Sequence, residues 1–259
     1  MKRSATLVVL GLVVLLPSPR FAVRAGGPLE SPSLEHWFGT DDLGRDLAAG
    51  VIEGTRLSLL VGLGTVLLAL VLGASIGIAA GLLEGLWDEI LMRGVEVFQV
   101  VPRFFLSLVV LTIWGYHLWL LVLVLGLTSW SGLARLARAE TLTIKEREFV
   151  VAARAGGARF SWLFLRHVLP QAVRPLVATA PLTMGGAMLT EAGLSFLGLG
   201  SLQRVSWGYL LRNAQPFLLD AWWMSVFPGL AMTITVFSVA LFAFGADGDA
   251  GRALRAQRS

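Results

Sequence analysis

The sequence predicts an all-α fold, a polytopic membrane helix bundle of five to six transmembrane helices. The first observation is compositional: the 259 residues are 56% hydrophobic and only 15% charged, whereas average soluble chains are about 25% charged. The second is that the apolar residues form long uncharged runs. The third is that the basic residues lie between these runs, which is typical of membrane proteins. We therefore attribute the pI near 10.3 to membrane topology, and expect a lipid bilayer and no nucleic acid as partner.

Four apolar runs are long enough for a bilayer core, which requires about 20 helical residues. They are Leu57–Leu83, Phe104–Leu133, 175–202 and 221–246. Gly115-Tyr116-His117 interrupts the second run, so we expect it to contain the end of one span and the start of another. At the N-terminus, Ala5–Leu16 is either an uncleaved first span or the apolar core of a signal peptide. The residues after it lack a small-residue cleavage pattern, which favours the retained span.

The positions of Lys and Arg predict the orientation of the chain. Eight of the 21 basic residues lie in the segment from Arg135 to Arg174, and others lie at both ends of the chain. Both termini and the segment 135–174 are therefore expected in the cytoplasm.

Glycines recur every four residues in and just after the first long run, at Gly73, Gly77, Gly81 and Gly85. A strip without side chains lets helix backbones approach closely in lipid. We interpret it as a helix-packing seam, with a pore-lining face as the alternative.

Charged residues in or beside spans tend to face an interior. Glu191 lies either near the outer interface with a hydrogen-bonded partner or in the permeation path. Arg103, which follows Pro102, either extends toward the interface or faces a cavity. Gln99 is expected to form a hydrogen bond between helices.

The sequence shows no set of catalytic, cofactor-binding or metal-binding residues. It has no cysteine, and neither Lys2 nor Lys145 follows a glycine as a phosphate-binding loop requires. His36, His117 and His167 are far apart and lack clustered carboxylates, which argues against zinc. We expect a chain that is not an enzyme and takes its energy from an ion gradient or a second protein.

The segment 148–170 carries the most informative pattern. Ala152, Ala153 and Ala155 predict a short helix that ends at Gly156-Gly157. Apolar residues at 160, 163, 164 and 168 predict a second helix that ends at Pro170. Its other face is basic, with Arg159, Arg166 and His167. Such a helix lies on a membrane surface or docks into the groove of a partner protein, and composition leaves both open.

This segment resembles the EAA loop of ABC-importer permeases, whose pattern is E-A-A, three residues, G, nine residues, I-x-L-P. Ala152, Ala153 and Gly157 match, as do Leu169 and Pro170 in the final block. Val151 stands where glutamate is usual, and His167 stands where isoleucine is usual. Arg166-His167-Val168-Leu169-Pro170 is similar to the R-H-V-L-P of the peptide and nickel branch.

Three further blocks resemble that branch, in the expected order. The first, 36–46, contains Gly39, Thr40, Asp41, Gly44, Arg45 and Asp46. The second, 191–208, contains Glu191, Ser195, Gly198, Gly200 and Trp207. The third is Phe227-Pro228-Gly229-Leu230. Each side chain also has a structural interpretation: Thr40 or Asp41 caps a helix, the glycines end one, and Trp207 anchors at the interface.

The resemblance implies a type I ABC importer transmembrane domain in the cytoplasmic (inner) membrane. It implies a permease subunit that forms half of the pathway for peptides or a related solute, a nickel complex included. The implied partners are a second homologous permease, two cytoplasmic ABC ATPase subunits that hold ATP and magnesium, and an extracytoplasmic substrate-binding protein. No cofactor is expected in this chain. The alternative is an ion-gradient-driven secondary transporter, for which no internal repeat is evident.

The resemblance also assigns parts of the chain. Residues 1–56 would form an anchor span and extracytoplasmic segment, 57–246 the transmembrane domain, and 247–259 a cytoplasmic tail. The ATPase-coupling loop would lie within 135–174. There Ala152, Ala153, Gly157, Leu169 and Pro170 would set its shape, and Phe160, Leu163 and Phe164 its apolar docking surface.

Overall fold

The computed structural model describes residues 21, 23–83, 85–201 and 204–256. The expected first span, Ala5–Leu16, lies outside the described residues. The α-helices are α1 Leu47–Leu83, α2 Gly85–Val100, α3 Arg103–Trp114, α4 Leu118–Lys145, α5 Glu148–Ala155, α6 Phe160–Leu163, α7 Leu169–Leu194, α8 Trp207–Ala214 and α9 Trp223–Ala256. Two π-helical turns, Phe164–Val168 and Ser195–Leu199, flank α7, and a 3₁₀ turn spans Gln215–Phe217.

Four helical stretches of the described chain are long and apolar enough to cross a membrane. They are Leu47–Leu83, Leu118–Lys145, Phe164–Leu199 and Trp223–Leu241. The pair α2 and α3 is bent by 74° and gives a fifth if it counts as one broken span. The prediction of an all-α polytopic membrane fold is confirmed.

The interruption at Gly115-Tyr116-His117 separates α3 from α4, as the sequence predicts. Gly115 has φ +76°, which favours glycine. Helix α2 was not among the predicted elements, because Asp88, Glu89, Arg93 and Glu96 make its sequence too polar for a span.

The prediction that the second short helix ends at Pro170 is wrong. The chain stays helical from Phe160 to Leu194, through α6, the first π turn and α7, and the backbone leaves the helical conformation at Gly198, inside the second π turn. In the first π turn, the Leu169 N–H donates to the Phe164 carbonyl, five residues back. Pro170 is the second residue of α7, directly after this π turn, and local π adjustments allow membrane helices to tolerate proline.

The chain forms two compact units, and each is described separately. The first unit contains the described residues up to Leu63, Leu108–Leu121 and Met184–Phe242. The second contains Gly64–Ser107, Val122–Thr183 and residues 243–256. The predicted domain boundaries at 56 and 246 fall inside α1 and α9, and they stay a prediction.

A glycine strip on α1 packs against α4 within the second unit. An added Cβ at Gly73 would lie 2.6 Å from Leu133 Cβ, and one at Gly81 would lie 2.8 Å from Thr141 Cβ. At Gly77 it would collide with the carbonyl of Ala134. Close backbone approach of this kind holds helices together in lipid.

Gly85, the fourth glycine of the predicted seam, lies outside this contact. An added Cβ there would have no neighbour within 4 Å, and its φ is +61°. It is the first residue of α2. Its conformation, and not helix packing, therefore accounts for glycine at this position.

Candidate functional site

The first half of the EAA-like segment, defined here as residues 148–170, ends in a Schellman motif. The Gly157 N–H donates to the Arg154 carbonyl at 3.0 Å, and the Ala158 N–H donates to the Ala153 carbonyl at 3.0 Å. Gly157 has φ +79°, the left-handed conformation that this motif requires. Because nothing lies within 4 Å of its added Cβ, backbone conformation and not space selects glycine there.

The second half of the EAA-like segment packs against other helices of the second unit. Leu163 is only 2% exposed. Its buried cluster is formed by Ile78 of α1, Ala137 and Ile144 of α4, Val150, Leu163, Val168, Ala172 and Leu176. Phe164 and Leu169 pack against the same cluster. Leu163 is thus a core residue, which corrects the expectation that it belongs to an outward docking surface; the side chain of Phe160 lies outside the described residues.

The exposed side chains of the EAA-like segment form a mixed aromatic and basic surface. The large apolar members are Phe149, Val151, Trp162 and Leu165, between 42% and 60% exposed. The basic members Arg154, Arg159 and Arg166 are also exposed. The His167 ring lies 5.8 Å from the Phe149 ring and 5.0 Å from the Trp162 ring. Ala152 and Pro170 are exposed and Ala153 is half-buried.

A polar cavity of about 490 Å³ lies within the second unit. Its lining includes Arg103, Arg135 and Gln99, together with hydroxyl side chains of α4 and α7: Thr128, Ser129, Ser131, Thr179 and Thr183. The Arg103 guanidinium donates to the Ser129 hydroxyl at 3.4 Å. Arg103 therefore faces a cavity, the second of its two predicted interpretations.

In the first unit, Glu191 is fully buried among serine hydroxyls. Ser195 donates to one carboxyl oxygen at 2.7 Å and Ser58 to the other at 3.3 Å. Ser206 also hydrogen-bonds this carboxyl group. We call Glu191, Ser58, Ser195 and Ser206 the Glu191 cluster. The cluster joins α1, the end of α7 and the start of α8. Of the two interpretations that the sequence allows for Glu191, the structure therefore supports the one with hydrogen-bonded partners.

The rest of the second motif block packs around the Glu191 cluster. The Trp207 indole N–H donates to the Val51 carbonyl at 3.0 Å, and Trp207 is 1% exposed. It is therefore a buried anchor and not the interfacial one that the sequence suggested. Gly208 lies against the Ala192 backbone, and Gly200 against Ser195. Gly198, at φ +89°, lies against the Arg212 guanidinium.

The first motif block folds the segment before α1. Asp41 accepts hydrogen bonds from the backbone N–H groups of Leu43 and Arg45 and pairs with the Arg45 side chain at 2.6 Å. Burial lowers the pKa of Arg45, but hydrogen bonds to Asp41 and Tyr209 outweigh it and raise that pKa above its usual value. The Thr40 carbonyl accepts from the Trp223 indole at 3.1 Å.

Asp46, and not Thr40 or Asp41, caps α1, because its carboxylate accepts the Ala49 N–H at 3.0 Å. Gly39 and Gly44, at φ +76° and +73°, form the turns between these residues. The third block joins the same group, since the Phe227 ring stacks on Phe38 at 4.2 Å.

Sequence reasoning missed Ser58 and Ser206 as partners of Glu191. Ser195 was detectable, because residues four apart share a helix face. Ser58 lies 133 positions away from Glu191, and no local pattern relates the two.

Spanning helices, an exposed helical segment fixed to their ends, and a polar cavity fit a membrane transport permease. Residues 73–248 match the family of binding-protein-dependent transport system inner membrane components, and the chain belongs to this family. Membership places it in an inner membrane and implies a binding protein and an ATPase as partners in general.

Known relatives are named as peptide transporters. The chain is 43% identical to a peptide permease protein of Brucella suis biovar 1, over 81% of this chain and 70% of that protein. It is 34% identical to a D,D-dipeptide transport system permease protein of Escherichia coli K12, over 93% of this chain and 84% of the relative. An inward-facing structure of the MetNI methionine ABC transporter has the same fold, with TM-score 0.63, 19% identity, and coverage of 81% and 97%.

Proposed function

We propose that this chain is the permease subunit of an ATP-driven importer of peptides, and forms half of the pathway with a second, homologous permease. The names of its relatives support a peptide substrate. Two cytoplasmic ATPase subunits, which hold ATP and magnesium, supply the energy. An extracytoplasmic binding protein delivers the substrate. Both chain termini and the EAA-like segment lie in the cytoplasm, in agreement with the basic residues of 135–174.

The EAA-like segment transmits movement of the ATPase subunits to the spanning helices. Its exposed face presents Trp162, Leu165 and Val151 to a partner, while its buried face holds Leu163 against Ile78 of α1 and Ile144 of α4. Any displacement of the outer face therefore moves the ends of α1 and α4 as well. This two-sided placement is the single observation that carries the proposal.

Two electrostatic contacts stiffen the same end of the second unit. Arg138 of α4 forms a bidentate pair with Asp88 of α2, with both distances 2.6 Å. Lys145 donates to the Gly81 carbonyl of α1 at 2.9 Å. Because these contacts link α1, α2 and α4, a displacement of the EAA-like segment moves the three helices together. Coupling between distant sites requires rigid elements of this kind.

The test replaces Gly157 by Ala, with Gly156→Ala as the matched control. Alanine at φ +79° costs about 1 kcal/mol or more and disfavours the Schellman turn. Gly156 has φ −77°, which any residue adopts. We expect Gly157→Ala to lower both peptide uptake and binding-protein-stimulated ATP hydrolysis several-fold in reconstituted complexes, and Gly156→Ala to leave both near wild-type levels.

Two outcomes would contradict the proposal. If Gly157→Ala keeps full uptake and full ATPase stimulation in an intact complex, the turn has no part in coupling. If the chain takes up peptide without any ATPase subunit, an ion gradient drives transport instead.

A further inference from the structure

The polar cavity of the second unit has an unusual charge balance for a site between membrane helices. Arg103 and Arg135 line it, and no Asp or Glu of the described residues does. An arginine in this setting normally pairs with an acid or serves a substrate pathway. Arg103 is exposed on this open cavity, and among the described residues its side chain has no acidic partner and hydrogen-bonds only the neutral Ser129 hydroxyl.

Nearby carboxylates are already engaged elsewhere. Arg135 also borders a neighbouring cavity that contains Asp88, Glu89 and Glu96. Asp88 pairs with Arg138 at 2.6 Å. Glu89 and Glu96 both pair with Arg93, at 3.7 and 3.1 Å. These acids therefore leave the positive charge of the Arg103 cavity uncompensated.

Other groups of the cavity add to its capacity for an anion. Arg103 is the first residue of α3, a 12-residue helix whose N-terminus carries a partial positive charge. The Gln99 side-chain amide nitrogen is buried and has no hydrogen-bond partner among the residues that the structure describes. It is a donor that a bound oxygen would satisfy. The cavity volume, about 490 Å³, is within the range of ligand sites.

We infer that Arg103 binds the carboxylate of the transported solute during its passage, with Gln99 as a second donor. An arginine fork matches a carboxylate with two parallel hydrogen bonds. The inference rests on the proposed function, since a peptide with a free C-terminus supplies that group. It assigns the permease a selectivity of its own, for solutes with an accessible carboxylate, beyond that of the binding protein.

The experiment compares one short peptide as the free acid and as the C-terminal amide. The whole complex is reconstituted in proteoliposomes, and each peptide is loaded on the binding protein, with loading measured separately. Uptake is then followed for wild type, Arg103→Gln, Arg103→Lys and the control Arg174→Gln. Arg174 is exposed, lies outside this cavity and is not the arginine that pairs with Asp88, Glu89 or Glu96.

We expect Arg103→Gln to lower free-acid uptake about tenfold, the size of one lost charge-assisted hydrogen bond, with the amide changed less than about twofold. Arg103→Lys should lower free-acid uptake much less than Arg103→Gln does, because lysine retains the positive charge. Arg174→Gln should keep the wild-type ratio of free-acid to amide uptake. Binding-protein-stimulated ATPase activity confirms that each variant complex is assembled.

Equal uptake losses for both peptides, or no loss for either, would overturn the assignment of Arg103 while peptide import by the wild type stands. Failure of the wild type to take up either loaded peptide would overturn the proposed function and this inference with it. Repeating the series in vesicles with and without phosphatidylglycerol tests a lipid headgroup as the occupant. A variant effect that requires the anionic lipid, and not the peptide carboxylate, also overturns the inference.

Discussion

The EAA-like segment and the Glu191 cluster both belong to motif blocks, yet they use their side chains in opposite ways. In the EAA-like segment, Trp162 and Leu165 are about half exposed and free to meet a partner. In the Glu191 cluster, the carboxyl group is 0% exposed and bonded to serines of its own chain. A motif therefore indicates that the identity of its residues matters. Burial then shows whether those residues stabilise the fold or are available to a partner.

The variant with the largest expected effect is Glu191→Ala, which tests whether the Glu191 cluster stabilises the fold. The change leaves three buried serine hydroxyls without their acceptor, at about 1–3 kcal/mol for each unsatisfied group. Even the low end of this cost, about 3 kcal/mol in all, should make the purified subunit or complex melt roughly 6–12 °C lower, since about 1 kcal/mol shifts the midpoint by roughly 2–4 °C at this size. The melting temperature is measured by heating samples and determining the fraction that stays intact by size-exclusion chromatography.

Ser58→Ala and Ser195→Ala serve as smaller companions to that variant. Each removes one donor and leaves the others in place, so each should cost less than Glu191→Ala. If Glu191→Ala has the melting temperature of the wild type but transports no peptide, Glu191 acts on the substrate. The contrast between a structural Glu191 cluster and a partner-binding EAA-like segment then fails.

A smaller effect is expected for Gly208→Ala, with Gly186→Ala as control. The new methyl group at Gly208 meets the Ala192 backbone, with Ala192 Cα only 2.8 Å away, and overpacking of this kind costs about 1–3 kcal/mol. Gly186 lies in α7 with nothing within 4 Å of an added Cβ. There alanine should be neutral or raise the melting temperature slightly. Equal melting temperatures for both variants would show that the α7–α8 contact is loose.

The smallest effect on stability is expected for Leu165→Ala. Leu165 is 60% exposed, so its loss should change the free energy of unfolding by less than about 0.5 kcal/mol. The same variant should lower the fraction of ATPase subunits that co-purify with the permease. Leu163→Ala, a buried neighbour, should instead destabilise the subunit by about 2–5 kcal/mol. Normal ATPase retention in Leu165→Ala would remove Leu165 from the partner surface.

The sequence predicted the elements whose signals are local. Long uncharged runs located the spanning helices, Gly115 marked the break between α3 and α4, and Gly156-Gly157 marked the end of α5. Glycine spacing anticipated the α1 face that meets α4 at Gly73, Gly77 and Gly81. In each case the cause lies within a few residues of the effect.

The features that sequence reasoning missed depend on contacts between distant residues. Leu163 appeared suited to a docking face, because periodicity identifies an apolar face and not its neighbour. Its neighbours, Ile78 and Ile144, come from α1 and α4. Proline breaks helix interiors, so Pro170 predicts the end of a helix, but its place beside a π turn makes it compatible with α7.

That π turn has a consequence for comparing this chain with its relatives. Phe164–Val168 accommodates one more residue than an α-helical turn of the same height would. Each residue of an α-helix advances the side-chain direction by about 100°. If a relative lacks the turn, an ungapped alignment across it would rotate the assigned direction of every later side chain by about 100° around the helix. A gap of one position at 164–168 would bring the faces of α7 back into correspondence, although such a gap inside a helix is one that alignment methods ordinarily penalise.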